Sequence, residues 1–273
     1  MTRHYFCLMN KWYFLLFVVL FSECKNKSDK TKDGNNENET PSYVNALAKQ
    51  VADKPDSVGL RFNYISALDS TRNYKLALAQ IDSLIIKDKG NYALWYKKGQ
   101  ISEHAGDTAC AIRYYNSAIG IYPSVDGLLA LANLYAETKN PKTLNICQHI
   151  DDLGLGREYD SYTAFFAGVF FSRTGNKEKA LFFFDKSIAN NYTFMESYLE
   201  KGYVFFDAKQ YEKALEVFKM AAEVKNRFAD AYYWQGKCYE ALNKKTEAIN
   251  KYQQALGFNS TLAEAELAIK RLQ

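Results

Sequence analysis

Four glycines in this chain keep one interval. Gly99, Gly168, Gly202 and Gly236 stand 69, 34 and 34 residues apart, and 69 is close to twice 34. Alanines keep it too: Ala77, Ala111, Ala180, Ala214 and Ala248 are separated by 34, 69, 34 and 34 residues. Two residue classes sharing one period over this distance mark an internal repeat. A unit of that length cannot bury its own apolar face, so units must stack into an array. Gly and Ala suit points where two helices cross, because a larger side chain would push the axes apart. The aromatic content, 15% with 21 Tyr, 18 Phe and 3 Trp, then has a use. Large rings fill the space around the small residues, and Trp95, Phe218 and Tyr239 read as such packing.

The residues around each glycine repeat as well. One unit reads Tyr232-x2-Gln235-Gly236-x2-Tyr239, then Ala248-x3-Tyr252-x2-Ala255. The unit before it reads Tyr198-x2-Lys201-Gly202-x2-Phe205, then Ala214-x3-Phe218-x2-Ala221. The one before that reads Ala164-x2-Ala167-Gly168-x2-Phe171, then Gly175 and Ala180-x3-Phe184. An earlier unit has Trp95, Gly99, Gly106, Ala111-x3-Tyr115-x2-Ala118 and a closing Pro123. This pattern resembles the tetratricopeptide repeat over about residues 58–262. The resemblance implies an all-α superhelix (solenoid) of about six helix pairs plus capping helices, filling a domain of residues 41–273. The units fall at about 58–91, 92–124, 125–159, 161–194, 195–228 and 229–262. The first keeps Leu68, Ala77 and Ile81 but lacks the glycine. The third keeps Leu128, Leu131, Ala132 and Tyr135, while its second half, with Leu144 and Ile146, departs from the pattern, and altered stacking is expected there.

Helix-end signals agree with this division. Asn140-Pro141 offers an N-cap and a proline at the first helical position. Thr40-Pro41 does the same before a helix of about 41–53. Thr261 and Glu264 are spaced as a capping box that opens a last helix, within 261–273. That helix would turn Glu264, Glu266, Lys270 and Arg271 to solvent, as the end of a stacked array requires.

The beginning of the chain reads as an address. Arg3 and Lys11 precede Trp12–Phe21, ten apolar residues in a row. As a helix that run is about 15 Å long, roughly half a hydrocarbon core, which suits a signal peptide over 1–23 better than a membrane span. A short uncleaved anchor is the other reading. Cys24 directly after the run resembles the acceptor of a bacterial lipoprotein, although Glu23 and Phe21 depart from the usual box. The resemblance implies lipidation of Cys24 and a membrane-anchored lipoprotein of the bacterial cell envelope. Residues 25–40 carry no apolar side chain, so 24–40 reads as a disordered tether.

Several function classes are excluded or left without support. Net charge is +4, from 35 basic and 31 acidic residues, too balanced for a nucleic-acid binder. No two of the five cysteines stand at CxxC spacing, and the three histidines form no HExxH, so no metal site is expected. Phosphate-binding glycine motifs and GxSxG are absent, so the chain reads as no enzyme and as needing no cofactor. Asp151-Asp152 reads as a solvated loop pair. His104 and His149 lie in different repeats with no visible partner. Cys110, Cys147 and Cys238 fall inside helix pairs, where a free cysteine behaves as a small hydrophobe.

Function is expected where the resemblance puts it. In tetratricopeptide folds the first helices of successive pairs line the concave surface. Carried over, the partner-binding candidates are Phe62, Tyr96, Lys97, Gln100, Asn133, Phe165, Phe166, Val169, Tyr203, Phe206, Tyr233, Trp234 and Lys237. Concave aromatic surface can anchor a peptide or a partner helix, or these rings only pack against the neighbouring pair. The carboxylate clamp of chaperone-binding members is not expected. Its positions hold Phe62, Ser66, Lys97, Asp126 and Ala130, and later registers bring Glu196, Glu200 and Asp230. The expected function is a non-enzymatic scaffold that binds a protein or peptide at the bacterial envelope; the alternative is a carbohydrate- or cell-wall-associated assembly factor.

Overall fold

The computed structural model describes residues 41–273. The signal peptide, Cys24, the tether and the Thr40 cap lie outside the described residues. Within them there are fourteen helices and no strand. Helix α1 (Ser42–Asp53) precedes six pairs: α2 (Val58–Ser70) with α3 (Tyr74–Lys87), α4 (Tyr92–His104) with α5 (Thr108–Ile121), and α6 (Val125–Glu137) with α7 (Lys142–Asp152). Then come α8 (Arg157–Arg173) with α9 (Lys177–Asn190), α10 (Met195–Asp207) with α11 (Tyr211–Val224), and α12 (Ala229–Ala241) with α13 (Lys245–Phe258). Helix α14 (Ala263–Leu272) packs on α13. None of these helices is long and apolar enough to cross a membrane.

The repeat period is explained by one contact made four times. A methyl group on Gly99 would lie 2.6 Å from the Tyr115 ring, and on Gly168 2.6 Å from the Phe184 ring. On Gly202 it would lie 2.3 Å from Phe218, and on Gly236 2.6 Å from Tyr252. Each ring comes from the second helix of the same unit, sixteen residues on, and all four rings are essentially inaccessible to solvent. Dense packing leaves such a ring no room to retreat.

The two departing units solve the same problem with other volumes. In the first, Ile65 and Ile81, both fully buried in one cluster, stand at the glycine and ring positions. In the third, Ala132 stands at the glycine position, and the buried residues of α7 are Thr143, Cys147 and Ile150. Their spacing matches Ala111, Tyr115 and Ala118 of α5, so Cys147 replaces the ring and Ile150 restores bulk one turn later.

Every unit turns between its two helices in one way. Arg72, Gly106, Lys139, Gly175, Lys209 and Asn243 all have φ between 58° and 87°. The following residue donates its N–H to a carbonyl five residues back, as in Asn73 to Leu68, Asp107 to Ser102 and Gln210 to Phe205. This is a Schellman ending, in which a left-handed residue lets the last carbonyls find partners. Three cationic side chains thus hold a conformation that favours glycine. Lys209→Gly is expected to raise stability by about 0.5–1 kcal/mol, because relief of left-handed strain outweighs the extra unfolded-state entropy. Urea melts of the single variant check this; a lower midpoint would refute it.

Helix starts partly follow expectation. Pro141 has helical dihedrals, φ −64° and ψ −14°, and the Lys142 N–H donates to Asn140 Oδ1 at 3.0 Å. The capping box at the last helix does not form. Helix α14 starts at Ala263 without a side-chain cap, and the Thr261 hydroxyl donates instead to Asn259 Oδ1 at 2.7 Å. The asparagine two residues upstream is the nearer acceptor, and the same Asn-x-Thr turn recurs at Asn191 and Thr193. Glu264, Glu266, Lys270 and Arg271 are exposed on α14.

Candidate interaction face

Successive first helices lie side by side, and their charged residues tie them together. Arg173 on α8 donates to Glu137 of α6 through Nε at 2.8 Å and Nη2 at 3.0 Å. It also donates to Glu200 of α10 through Nη1 and Nη2, both at 2.9 Å. One guanidinium thus bridges three repeats with fork geometry. Burial opposes its charge, yet the bonds to Glu200 and Glu137 prevail and hold it cationic.

A second network ties α2 to α4. Asp69 is buried, its side chain 5% exposed, and it accepts from Lys97 Nζ at 2.7 Å and pairs with His104 Nδ1 at 2.7 Å. Burial alone would raise the Asp69 pKa. Its hydrogen bonds with His104 and Lys97 outweigh burial and hold it below the ordinary 3.8. Two readings of the sequence change here. His104 has a partner, Asp69, one repeat earlier. Lys97 spends its charge inside the array rather than on a ligand.

The other predicted residues divide by burial. Phe165, Phe166 and Val169 are 3%, 7% and 1% exposed, so they are core and offer no surface. The cause is their neighbours. Phe165 packs against Phe194 at 5.0 Å, Phe166 at 5.7 Å and Phe184 at 6.0 Å. Ala132, Ala136 and Cys147 of the third unit belong to the same cluster, and their small side chains leave room for these rings. Phe62 is partly buried against the first cluster. Tyr96 stacks on Tyr92 at 5.6 Å, and burial pushes its hydroxyl pKa up to about 12. Gln100 stands beside it, half-buried. Asn133 is half-buried, and its Oδ1 is enclosed without a hydrogen-bond partner.

The remaining four aromatics gather at one place. Tyr203 and Phe206 of α10 meet Trp234 of α12 at 4.5 and 5.4 Å between ring centroids. Tyr233 lies 5.8 Å from Trp234 and 5.6 Å from Tyr252. All four are half-buried, with Phe218 beneath Tyr203 and Trp234. Lys237, also half-buried, follows Tyr233 by one turn. Sequence reasoning missed Arg173, Glu137, Glu200 and Asp69 as a face-building set. Their partners stand 27 to 36 residues apart in different units, and no pattern within one unit records that.

Cys147 and Cys238 are buried, and burial pushes each thiol up to about 12. Among the described residues no group of three His, Cys, Asp or Glu could hold a metal ion.

Known proteins bear on the fold. Family models described as tetratricopeptide repeat match residues 65–126 and 229–261, and one described as TPR repeat matches 202–243. No curated protein sequence matches the chain. A tetratricopeptide repeat protein from Parabacteroides merdae is similar in structure, with TM-score 0.68 and 15% identity over 84% of this chain and 90% of its own. Yeast Tom70 is similar with TM-score 0.54 and 14% identity, over 84% of this chain and 57% of its own. At such identities the likeness concerns the fold alone. The chain therefore carries tetratricopeptide repeats and folds as a tetratricopeptide-type α-solenoid.

Proposed function

We propose that this protein is a non-enzymatic scaffold of the bacterial cell envelope, lipid-anchored through Cys24, that binds a protein or peptide on the concave face of its repeats. The observation that carries the binding part is the half-buried aromatic cluster shared by α10 and α12. Amphipathic rings that are packed yet partly open supply contact area at little entropic cost, and such residues dominate binding hot spots. The envelope part rests on the apolar run 12–21 and on Cys24.

A photo-crosslinking amino acid placed at Phe206 tests the binding surface. The control is the same group at Phe182, 64% exposed on the second helix α9. Adducts to protein from Phe206 and not from Phe182 are expected. Adducts only from Phe182 would move the surface to the second helices, and adducts to wall glycan would favour a carbohydrate-binding role. Incorporation of a clickable fatty acid, abolished by Cys24→Ser, tests the anchor; no incorporation into the unaltered chain refutes it.

A further inference from the structure

Three carboxylates recur at one register along α10, α12 and α14. Glu196, Asp230 and Glu264 are spaced 34 and 34 residues apart and lie in the first turns of α10, α12 and α14. The helix dipole favours an acidic residue there. It does not account for their setting. Asp230, with Glu200, acts electrostatically on Tyr203, and Glu264, with Glu240, acts on Tyr233. Tyr233 packs against the cluster that holds Ala265 and Ala268 of α14, so Asp230 and Glu264 stand near the aromatic rings, and Glu196 holds the matching register on α10.

The charges of that surface are unevenly balanced. Glu200 is neutralised by Arg173 and Glu240 by Arg271. Glu196, Asp230 and Glu264 form no ion pair among the described residues. Asp230 is half-buried, and desolvation raises its pKa despite the charge of Lys225. Lys237, half-buried, is the one cation of α12 and offsets part of this charge. A half-desolvated carboxylate is stabilised by an arriving cation, and an ammonium or guanidinium over an aromatic face gains a further attraction.

We propose that the face formed by α10, α12 and α14 binds a peptide segment bearing lysine or arginine, with its cationic groups at Glu196, Asp230 and Glu264 and its aliphatic stems against Tyr203, Tyr233 and Trp234. This rests on the scaffold reading above and assigns the chemistry of its partner. It is the opposite polarity from capture of an acidic terminus.

The test uses the full chain and three fluorescent peptides on one leucine-glycine frame, carrying lysines, glutamates or serines at the same positions. Anisotropy is read at low and high salt. The lysine probe is expected to bind at least about tenfold more tightly than the other two and to weaken as salt screens the pairing. E196Q/D230N/E264Q is expected to lose about tenfold in affinity for the lysine probe. E212Q/E216Q/E223Q removes the same charge from exposed positions on α11 and is expected to bind like the unaltered chain. Circular dichroism melts establish that both variants fold. Equal affinity for the three probes, or equal loss in both triple variants, overturns the proposal. A lysine probe that fails while the Phe206 crosslink forms overturns the basic-peptide assignment and leaves the scaffold reading standing. Failure of that crosslink strikes the scaffold reading itself.

Discussion

Gly202→Ala is expected to destabilise the protein by about 2–3 kcal/mol, the upper part of the range for overpacking a closed core. The added methyl group would lie 2.3 Å from Phe218 Cε1 and 2.4 Å from Cζ. The ring cannot swing away. It is fully buried, with Trp234 stacked on it at 5.7 Å and Tyr203 at 6.0 Å. The first and third units show how the chain tolerates a side chain at this position, by shrinking the facing residue to Ile81 or Cys147. Phe218→Leu in the Gly202→Ala background is therefore expected to recover part of the loss. Each single change alone destabilises, the leucine by leaving a cavity. The pair should be less damaging than their sum by about 1 kcal/mol or more, a coupling typical of residues in contact. Urea melts of the four proteins measure this, and additivity would show that the close approach does not limit the fold.

Asp69→Ala is expected to lower stability by about 3 kcal/mol at neutral pH. The alanine removes the carboxylate that Lys97 and His104 share, and those two side chains are only 15% and 16% exposed. A buried ammonium without its carboxylate is more damaging than the pair was helpful. Replacing Asp69, Lys97 and His104 together by leucines should regain much of the loss, which separates stranded charge from lost packing. The acid limb adds a sign. The folded-state pKa of Asp69 lies below its ordinary 3.8, so its stabilisation is present above that value and disappears as pH falls through the folded pKa. Asp69→Asn should flatten the loss of stability on acidification below pH 3.8. An unchanged acid limb would refute the network's role.

Much of the fold was legible because each repeat states its own contact. A glycine and a ring sixteen residues apart belong to one helix pair, and the same pair of residues recurs in four units. Close packing of two helices has few chemical solutions, so the residue types expose the geometry. The third unit was legible as a departure, though not as Ala132 facing Cys147, because its second helix shifts the buried positions by one residue after Pro141. The capping box at Thr261 misled because Asn259 competes for the same hydroxyl at closer range in sequence.

The candidate face was less legible. Phe165 and Phe166 hold the same places on α8 that Tyr233 and Trp234 hold on α12, and periodicity treats them alike. Their environments differ. Helix α8 is packed by α6, α7, α9 and α10, and small side chains on α6 and α7 let its rings sink into the core. On α12 the corresponding rings stay half-open beside Tyr203 and Phe206.

The amino-acid sequence by itself determined the architecture: helix pairs, their small crossing residues, and the stacking that leaves each unit dependent on the next. Those are contacts within a unit, and a period of 34 residues repeats them until they cannot be mistaken. Only the tertiary structure decided which aromatics remain surface and which charges are spent internally. Exposure on a stacked array is set by the neighbouring unit's side-chain volumes. The bridges from Arg173 to Glu137 and Glu200, and from Asp69 to Lys97 and His104, join residues that no local spacing connects.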